Sequence, residues 1–262
     1  MNLAGSIGSS VRRRWQGAAT LAGVVAAIAF LALRPRYWPR TVRNVLVRQI
    51  FFTGVEATRF IALIALAAGL GVVLQAQVWL TRVGQSALIG PLLVAVIVRE
   101  LGPLLTNFVV IGRSGTAITT ELATMRVNGE IRTLDAQGLD PFPYLVLPRV
   151  LGVMVSVFCL TVVFIAVSLA SGYLAAMAMG AAPGGPGLFA QGVFSAVAPA
   201  DIANLMAKTA VPGMLTGAIC CLEGLSIEGA ATEVPQAAGR AVVRSVGALF
   251  LSSAIVSVLT YL

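Results

Sequence analysis

Residues 150–180 read VLGVMVSVFCLTVVFIAVSLASGYLAAMAMG, and this stretch contains no charged side chain. An α-helix of about 20 apolar residues crosses the hydrocarbon core of a bilayer. The stretch is therefore long enough to span a membrane, and the uncharged run continues to Ala200. Further uncharged runs cover residues 60–81, 83–98 and 245–262. This pattern predicts an all-α polytopic membrane protein.

The composition of the whole chain agrees with this prediction. Of the 262 residues, 58% are hydrophobic and only 11% are charged, whereas about 25% of the residues of a soluble domain are charged. Histidine is absent, and the three cysteines, Cys159, Cys220 and Cys221, lie in apolar runs. We therefore expect no metal or redox centre, no cofactor held by this chain and no enzymatic activity of the chain alone.

The apolar runs and the breaks between them predict five membrane spans. The break between the third and fourth spans is rich in Gly and Pro and contains no Lys or Arg. The five spans together form a transmembrane domain over residues 60–262, and they cover about residues 60–80, 86–112, 141–180, 202–222 and 242–262.

Residues 1–59 form a basic arm, with nine basic residues and a single acid, Glu56. The arm is interleaved with apolar residues, which favours contact with an anionic membrane surface over binding to nucleic acid. We expect interfacial helices here, including an uncleaved apolar helix at 15–33 that lies in the interface or dips into the inner leaflet. The positive-inside rule then places the N-terminus in the cytoplasm and the C-terminus outside.

One polar segment, Glu121–Pro141, interrupts the apolar chain between the second and third predicted spans. Its broken apolar stripe predicts a short cytoplasmic helix at about residues 119–138. Gly138 is suited to end this helix and Asp140 to cap the next one. Two interpretations stay open at this point, a solvated hairpin and a surface helix that docks a soluble partner.

Two ionisable residues, Arg99 and Glu100, fall inside the second predicted span. Such residues cost roughly 2.5–3.5 kcal/mol each on insertion scales, so they usually face a partner or a cavity. One interpretation is a structural ion network with Arg113 or Lys208. The other is that they line a cavity for a lipid head group, with Lys208 close by.

Gly112, Gly115 and Thr116 stand near the end of the second predicted span, and small residues at the small-xxx-small spacing of Gly112 and Thr116 let helices approach closely. Packing within the chain and a homodimer seam would both use such a contact.

The segment RELGPLLTNFVVIGRSGTAITTELATMRVNGEIRTLDAQGLDPFPYLVLPRVLG, residues 99–152, resembles the signature region of the MlaE/YrbE family, the permease subunits of ABC-type lipid transporters. The similarity continues in LVRQIFFTGVEA (46–57) and CLEGLSIEGAATEVPQAAGRAVVRS (221–245). The last span departs from some members of the family, because it carries Ser252, Ser253 and Ser257 but no acid.

The resemblance implies a role for the polar segment and for the charges within the spans. Residues 119–138 would be a coupling helix seated on a cytoplasmic ABC ATPase, through Glu121, Arg126, Glu130, Arg132 and Asp135. The side chains of Arg99, Glu100 and Lys208 would line the substrate cavity.

The resemblance also implies partners and a location. The chain would act as a homodimer in the bacterial inner membrane, with a periplasmic MCE-domain protein, a small STAS-domain accessory protein and membrane phospholipid. ATP and Mg²⁺ would be bound by the ATPase, because this chain contains no G-x-x-x-x-G-K-[ST] phosphate loop.

Two functions of other classes remain as alternatives on the residues alone. An ion-gradient-driven secondary transporter would use Glu100 as its intramembrane carboxylate. A membrane scaffold would recruit a cytoplasmic partner through Glu121–Asp140 but would not need charges inside a span.

Overall fold

The computed structural model describes residues 19–34, 38–84, 89–178 and 185–261. All regular secondary structure in these ranges is helical, which confirms the all-α class. Residues 1–18 and 35–37 of the predicted basic arm lie outside the described residues.

The helices follow one another with short connections. In chain order they are α1 (Ala19–Ala32), α2 (Arg40–Ile50), α3 (Thr58–Val83), α4 (Ile89–Leu93), α5 (Gly102–Val110), α6 (Thr116–Val127), α7 (Glu130–Ala136), α8 (Leu147–Ala178), α9 (Pro186–Ala196), α10 (Pro199–Leu225) and α11 (Glu233–Tyr261). Wider π-helical turns continue the helical path at Phe51–Val55, Val94–Leu101, Ile111–Gly115 and Phe142–Val146.

Five of the helical segments are long and apolar enough to cross a membrane, as the sequence predicted. We number them as spans one to five. Their bounds are Arg40–Leu80, Ile89–Val127, Phe142–Ala178, Pro199–Leu225 and Glu233–Thr260.

The predicted cytoplasmic helix at 119–138 is divided in the structure. Its first part is the end of α6 and therefore of span two, and only the seven-residue α7 stands apart. The break occurs because Gly129 adopts a positive φ of 74°, which stops the helix. Gly138, at φ 77°, ends α7 as expected, and the Leu139 N–H donates to the carbonyl of Leu134 at 3.1 Å.

Besides α7, two described helices lie outside the five spans. The Gly/Pro-rich connection after span three contains α9, an apolar helix that begins at Pro186, where proline suits a first helical turn. The N-terminal α1 is too short to cross a bilayer over its described length. One face of α1 packs against the main core through the fully buried Ile28 and its neighbours along the helix.

The core of the bundle is built around α8, which packs against α3 on one side and α10 on another. Phe164 of α8 is among the largest fully buried side chains. α3 and α8 approach closely because Gly69 and Gly172 leave no side chain between them. A Cβ added to Gly172 would overlap the side chain of Val73.

The bundle has two ends, and we name them by their charge. At the basic end, α6 and α10 end, α8 and α11 begin, and α7 connects spans two and three. At the opposite end, α3, α8 and α11 end and α10 begins, with α9 beside it. Arg126, Arg132, Arg149, Arg240 and Arg244 all belong to the helices at the basic end.

Candidate functional site: an ion cluster within the spans

Arg99 and Glu100 lie on the π-helical turn Val94–Leu101 of span two, and both are paired with residues of α10. The Lys208 ammonium lies 2.5 Å from Glu100 Oε1 and also donates to the backbone carbonyl of Arg99 at 3.0 Å. The Lys208 side chain is 0% exposed, whereas the Glu100 side chain is 43% exposed. A π-helical turn places side chains differently from an α-helix and is frequent at functional sites.

The partner of Arg99 is Asp201, a residue that sequence reasoning missed. Arg99 Nε lies 2.7 Å from Asp201 Oδ1, and Nη2 donates to Oδ2 at 3.2 Å. The Asp201 side chain is 1% exposed and that of Arg99 is 30% exposed. Asp201 Oδ2 also accepts the backbone N–H of Ala198 at 2.9 Å, so the same carboxylate caps α10. The signal that could have identified Asp201 is its position in the sequence, as an acid in the first turn of a membrane span.

Span five joins the cluster as its third helix. The Ser257 hydroxyl donates to Glu100 Oε1 at 3.2 Å. Asn107 of α5 donates from Nδ2 to the carbonyl of Lys208 at 3.3 Å and to that of Pro103 at 2.8 Å. The cluster therefore ties spans two, four and five together at the opposite end of the bundle.

The sequence suggested two partners for Arg99 and Glu100. One of them, Lys208, pairs with the Glu100 carboxylate and donates to the Arg99 carbonyl. Arg113, the other, belongs to a different site, because its Nη2 lies 3.0 Å from Glu56 Oε2 and its Nη1 donates to the Phe52 carbonyl at 3.0 Å. Its guanidinium also lies over the Phe52 ring, 5.2 Å from the centroid.

The ion cluster holds two cations and two anions, so its formal charge is zero. In each pair one member is fully buried and the other is partly exposed. The buried members, Asp201 and Lys208, both belong to α10, and the exposed members, Arg99 and Glu100, are neighbours on span two. The cluster therefore exposes part of one guanidinium and part of one carboxylate, on residues adjacent in sequence.

The basic end contains ion pairs of a different kind, which join helices where they leave the spans. Arg149 of α8 is buried, and its Nη2 lies 2.9 Å from Glu121 Oε1 of α6. Glu223 of α10 is buried and pairs with Arg240 and Arg244 of α11. Glu121, which was expected at an ATPase interface, thus holds the start of span three.

The other four residues expected at that interface have exposed side chains. They are Arg126, Glu130, Arg132 and Asp135, and none of them forms an ion pair with another described residue. Ile131 of α7 is buried instead, and Leu134 packs against the main core. α7 therefore lies on the bundle through its apolar side and leaves its charged side open.

The two glycines singled out for helix packing have different surroundings. Gly115 is buried against α10, where an added Cβ would lie 3.0 Å from Cys220 Sγ. An added Cβ at Gly112 would meet nothing within 4 Å, and Gly112 is exposed. Gly115 thus serves packing within the chain.

Across the part of the chain that the structure describes, no group of three or more His, Cys, Asp or Glu side chains is placed to hold a metal ion. The candidate functional features of the described residues are the neutral ion cluster within the spans and the charged face of α7.

Together these features define a multi-pass helical membrane protein in which paired charges inside the bundle join three of its spans. The sequence model of the family described as Permease MlaE matches residues 46–259. The chain belongs to this MlaE permease family.

Three relatives show how far the similarity extends. A probable ABC transporter permease protein of Rickettsia conorii is 27% identical over 98% of this chain and 98% of its own length. A probable ABC transporter permease protein of Synechocystis is 33% identical over 68% of this chain and 67% of its own. The chloroplastic protein TRIGALACTOSYLDIACYLGLYCEROL 1 of Arabidopsis thaliana is 32% identical over 82% of this chain and 61% of its own.

Proposed function

We propose that this chain is the membrane permease of an ABC transporter that moves phospholipid between the bacterial inner membrane and a periplasmic MCE-domain carrier. The activity would contribute to the lipid homeostasis of the outer membrane. In this arrangement the basic end is cytoplasmic, with the N-terminus, and the opposite end with the C-terminus faces the periplasm.

The observation that carries the proposal is the charged face of α7. Exposed charges that form no ion pair with another described residue, on a short helix held to the bundle by Ile131 and Leu134, suit docking to a soluble partner. The positive-inside rule places this helix in the cytoplasm. An ABC ATPase is the partner that a permease of this family requires, and it would bind the ATP and Mg²⁺.

The Glu121–Arg149 pair gives the docked helix a route to the spans. Glu121 lies on α6, before the break at Gly129, and Arg149 lies at the start of α8. The pair therefore joins the end of span two to the start of span three, the two segments between which α7 lies. Motion imposed on α7 would move the two spans together, because a buried arginine keeps its carboxylate partner.

The ion cluster supports the lipid part of the proposal. Charged side chains within a span usually face the bundle interior, a partner or a water-filled cavity, because exposure to hydrocarbon is costly. The partly exposed Arg99 and Glu100 would therefore face the substrate cavity, with Lys208 behind them. We propose that this cavity forms between two copies of the chain, with the MCE-domain protein above it and a STAS-domain protein bound to the ATPase.

The test is to purify the chain with its partners from its native membrane in mild detergent and to identify proteins and lipids by mass spectrometry. We expect a stoichiometric ATPase, an MCE-domain protein and co-purified phospholipid. The charge reversals Arg126→Glu, at the end of α6 beside α7, and Glu130→Arg, on α7 itself, should remove the ATPase and leave the chain folded. Arg82→Glu is the matched control, because Arg82 is exposed at the opposite end of the bundle.

A chain that purifies alone and folded, without an ATPase, contradicts the proposal. Loss of the ATPase from the Arg82→Glu variant to the same extent would show that overall charge, rather than the face of α7, controls the association.

A further inference from the structure

We infer that the open face of the ion cluster selects phospholipids with a zwitterionic head group that carries a primary ammonium, as an ethanolamine head group does. The inference rests on the proposed function, because it assumes that lipid reaches Arg99 and Glu100. It goes further in assigning the chemical class of the lipid.

The ion cluster as a whole is neutral. Arg99 is balanced by Asp201 and Glu100 by Lys208, so the cluster adds no net charge to the space in front of it. A site built for an anionic lipid would present an excess of positive charge. This site instead suits a ligand whose own charges sum to zero.

The accessible members of the cluster are one cation and one anion. Both counter-ions on α10 are fully buried, whereas Arg99 is 30% exposed and Glu100 is 43% exposed. A ligand approaching this face therefore meets one cation and one anion on adjacent residues. A phosphate matches the guanidinium, and an ammonium matches the carboxylate.

The two carboxylate oxygens of Glu100 differ in their hydrogen bonding. Lys208 and Ser257 both donate to its Oε1. Its Oε2 accepts no hydrogen bond from the described residues. Because the Glu100 side chain is 43% exposed, this oxygen is open to a charged donor from a ligand. A primary ammonium has three N–H donors and can supply one.

The alternatives fit this face less well. A glycerol head group leaves the phosphate charge uncompensated beside Glu100 and offers the carboxylate no cation. A choline head group carries a positive charge but no N–H, so it cannot donate to Oε2. The expected order of retention is therefore ethanolamine, then choline, then glycerol.

The experiment measures which lipids the purified full-length chain retains. The chain, with any partners that co-purify, is equilibrated in mixed micelles that contain equal amounts of phosphatidylethanolamine, phosphatidylcholine and phosphatidylglycerol with the same acyl chains. Bound lipid is then extracted and quantified by mass spectrometry. We expect wild type to retain about ten times more ethanolamine than glycerol lipid, since a charge-assisted hydrogen bond is worth about that factor.

The variants separate a specific contact from a general loss of structure. Glu100→Gln should reduce the ethanolamine-to-glycerol ratio to about one. Because that change leaves Lys208 buried without its carboxylate, the double variant Glu100→Gln with Lys208→Met tests the same loss in a cluster that stays neutral. Glu56→Gln is the matched control, because the Glu56 side chain is 44% exposed and also ion-paired, but with Arg113 at the basic end. Its ratio should stay at the wild-type value.

Equal retention of the three lipids by wild type overturns this inference, while the proposed function stands as long as lipid and an ATPase co-purify. An unchanged ratio in the double variant overturns it as well. If no variant and no wild-type sample retains phospholipid, both this inference and the lipid part of the proposed function fail.

Discussion

The two ion pairs of the cluster predict an asymmetric effect on stability. Removing Glu100 and removing Lys208 destroy the same 2.5 Å contact, but the charge left behind differs in exposure. Glu100→Gln leaves the fully buried Lys208 ammonium without its carboxylate. Lys208→Met leaves Glu100, whose side chain is 43% exposed and still accepts a hydrogen bond from Ser257.

The magnitudes follow from this difference. Stranding a buried charge costs about 3–5 kcal/mol, and the retained bond from Lys208 to the Arg99 carbonyl places Glu100→Gln near the lower end, at about 3 kcal/mol. A charge left at a partly hydrated site costs about 1 kcal/mol or less. The double variant should resemble Lys208→Met, at about 1 kcal/mol, because no buried charge remains.

The assay is reversible unfolding in mixed micelles with increasing denaturing detergent, followed by circular dichroism, for the wild type, both single variants and the double variant. The Arg99–Asp201 pair provides an independent test of the same asymmetry. Arg99→Met strands the 1% exposed Asp201 and should be the costly change, whereas Asp201→Asn leaves the 30% exposed Arg99 and should cost little.

The reasoning is refuted if Lys208→Met destabilises the protein as much as Glu100→Gln does. That result would mean that the exposed side of Glu100 faces hydrocarbon instead of water or a polar ligand.

Three further predictions concern packing, the basic end and topology. Gly172→Leu should destabilise the bundle by about 1–3 kcal/mol or more, because the new side chain has no space against α3, whereas Gly112→Leu, in open space, should have little effect in the same unfolding assay. Glu223→Gln should release the start of α11, because two arginines lose their buried partner, and the amides of residues 233–244 should then exchange hydrogen faster. With the three native cysteines replaced by serine, Asp135→Cys should react with a membrane-impermeant maleimide only after the cytoplasmic side is opened, and labelling of intact spheroplasts would reverse the proposed orientation.

Sequence reasoning found the elements whose signals are local. The uncharged run at 150–180 became α8, and the five predicted spans are present, because about 20 consecutive apolar residues suffice to define a span. Gly138 ended α7 as expected because a positive φ is a property of a single residue. Gly129 also adopts a positive φ and breaks the helix, but the sequence alone did not distinguish Gly129 from a glycine that a helix tolerates in its interior.

The partners of the charged residues depended on contacts that no local pattern describes. Sequence singled out Arg99, Glu100 and Lys208 as unusual within spans, and it considered Lys208 and Arg113 as alternative partners. It did not include Asp201, and it did not anticipate that Glu121, which it predicted at an ATPase interface, is paired with Arg149.

The sequence by itself therefore determined that this chain is a helical membrane protein, which five segments of the described residues are long and apolar enough to cross a membrane, and which residues are unusually polar for their position. Only the tertiary structure decided which of those residues meet. The physical reason is that hydropathy depends on composition along one helix, whereas the pairing of Glu100 with Lys208, 108 positions apart, depends on how helices rotate and approach each other. How closely two helices approach is set by contacts such as those at Gly69 and Gly172 between α3 and α8, which join residues about 100 positions apart in the chain.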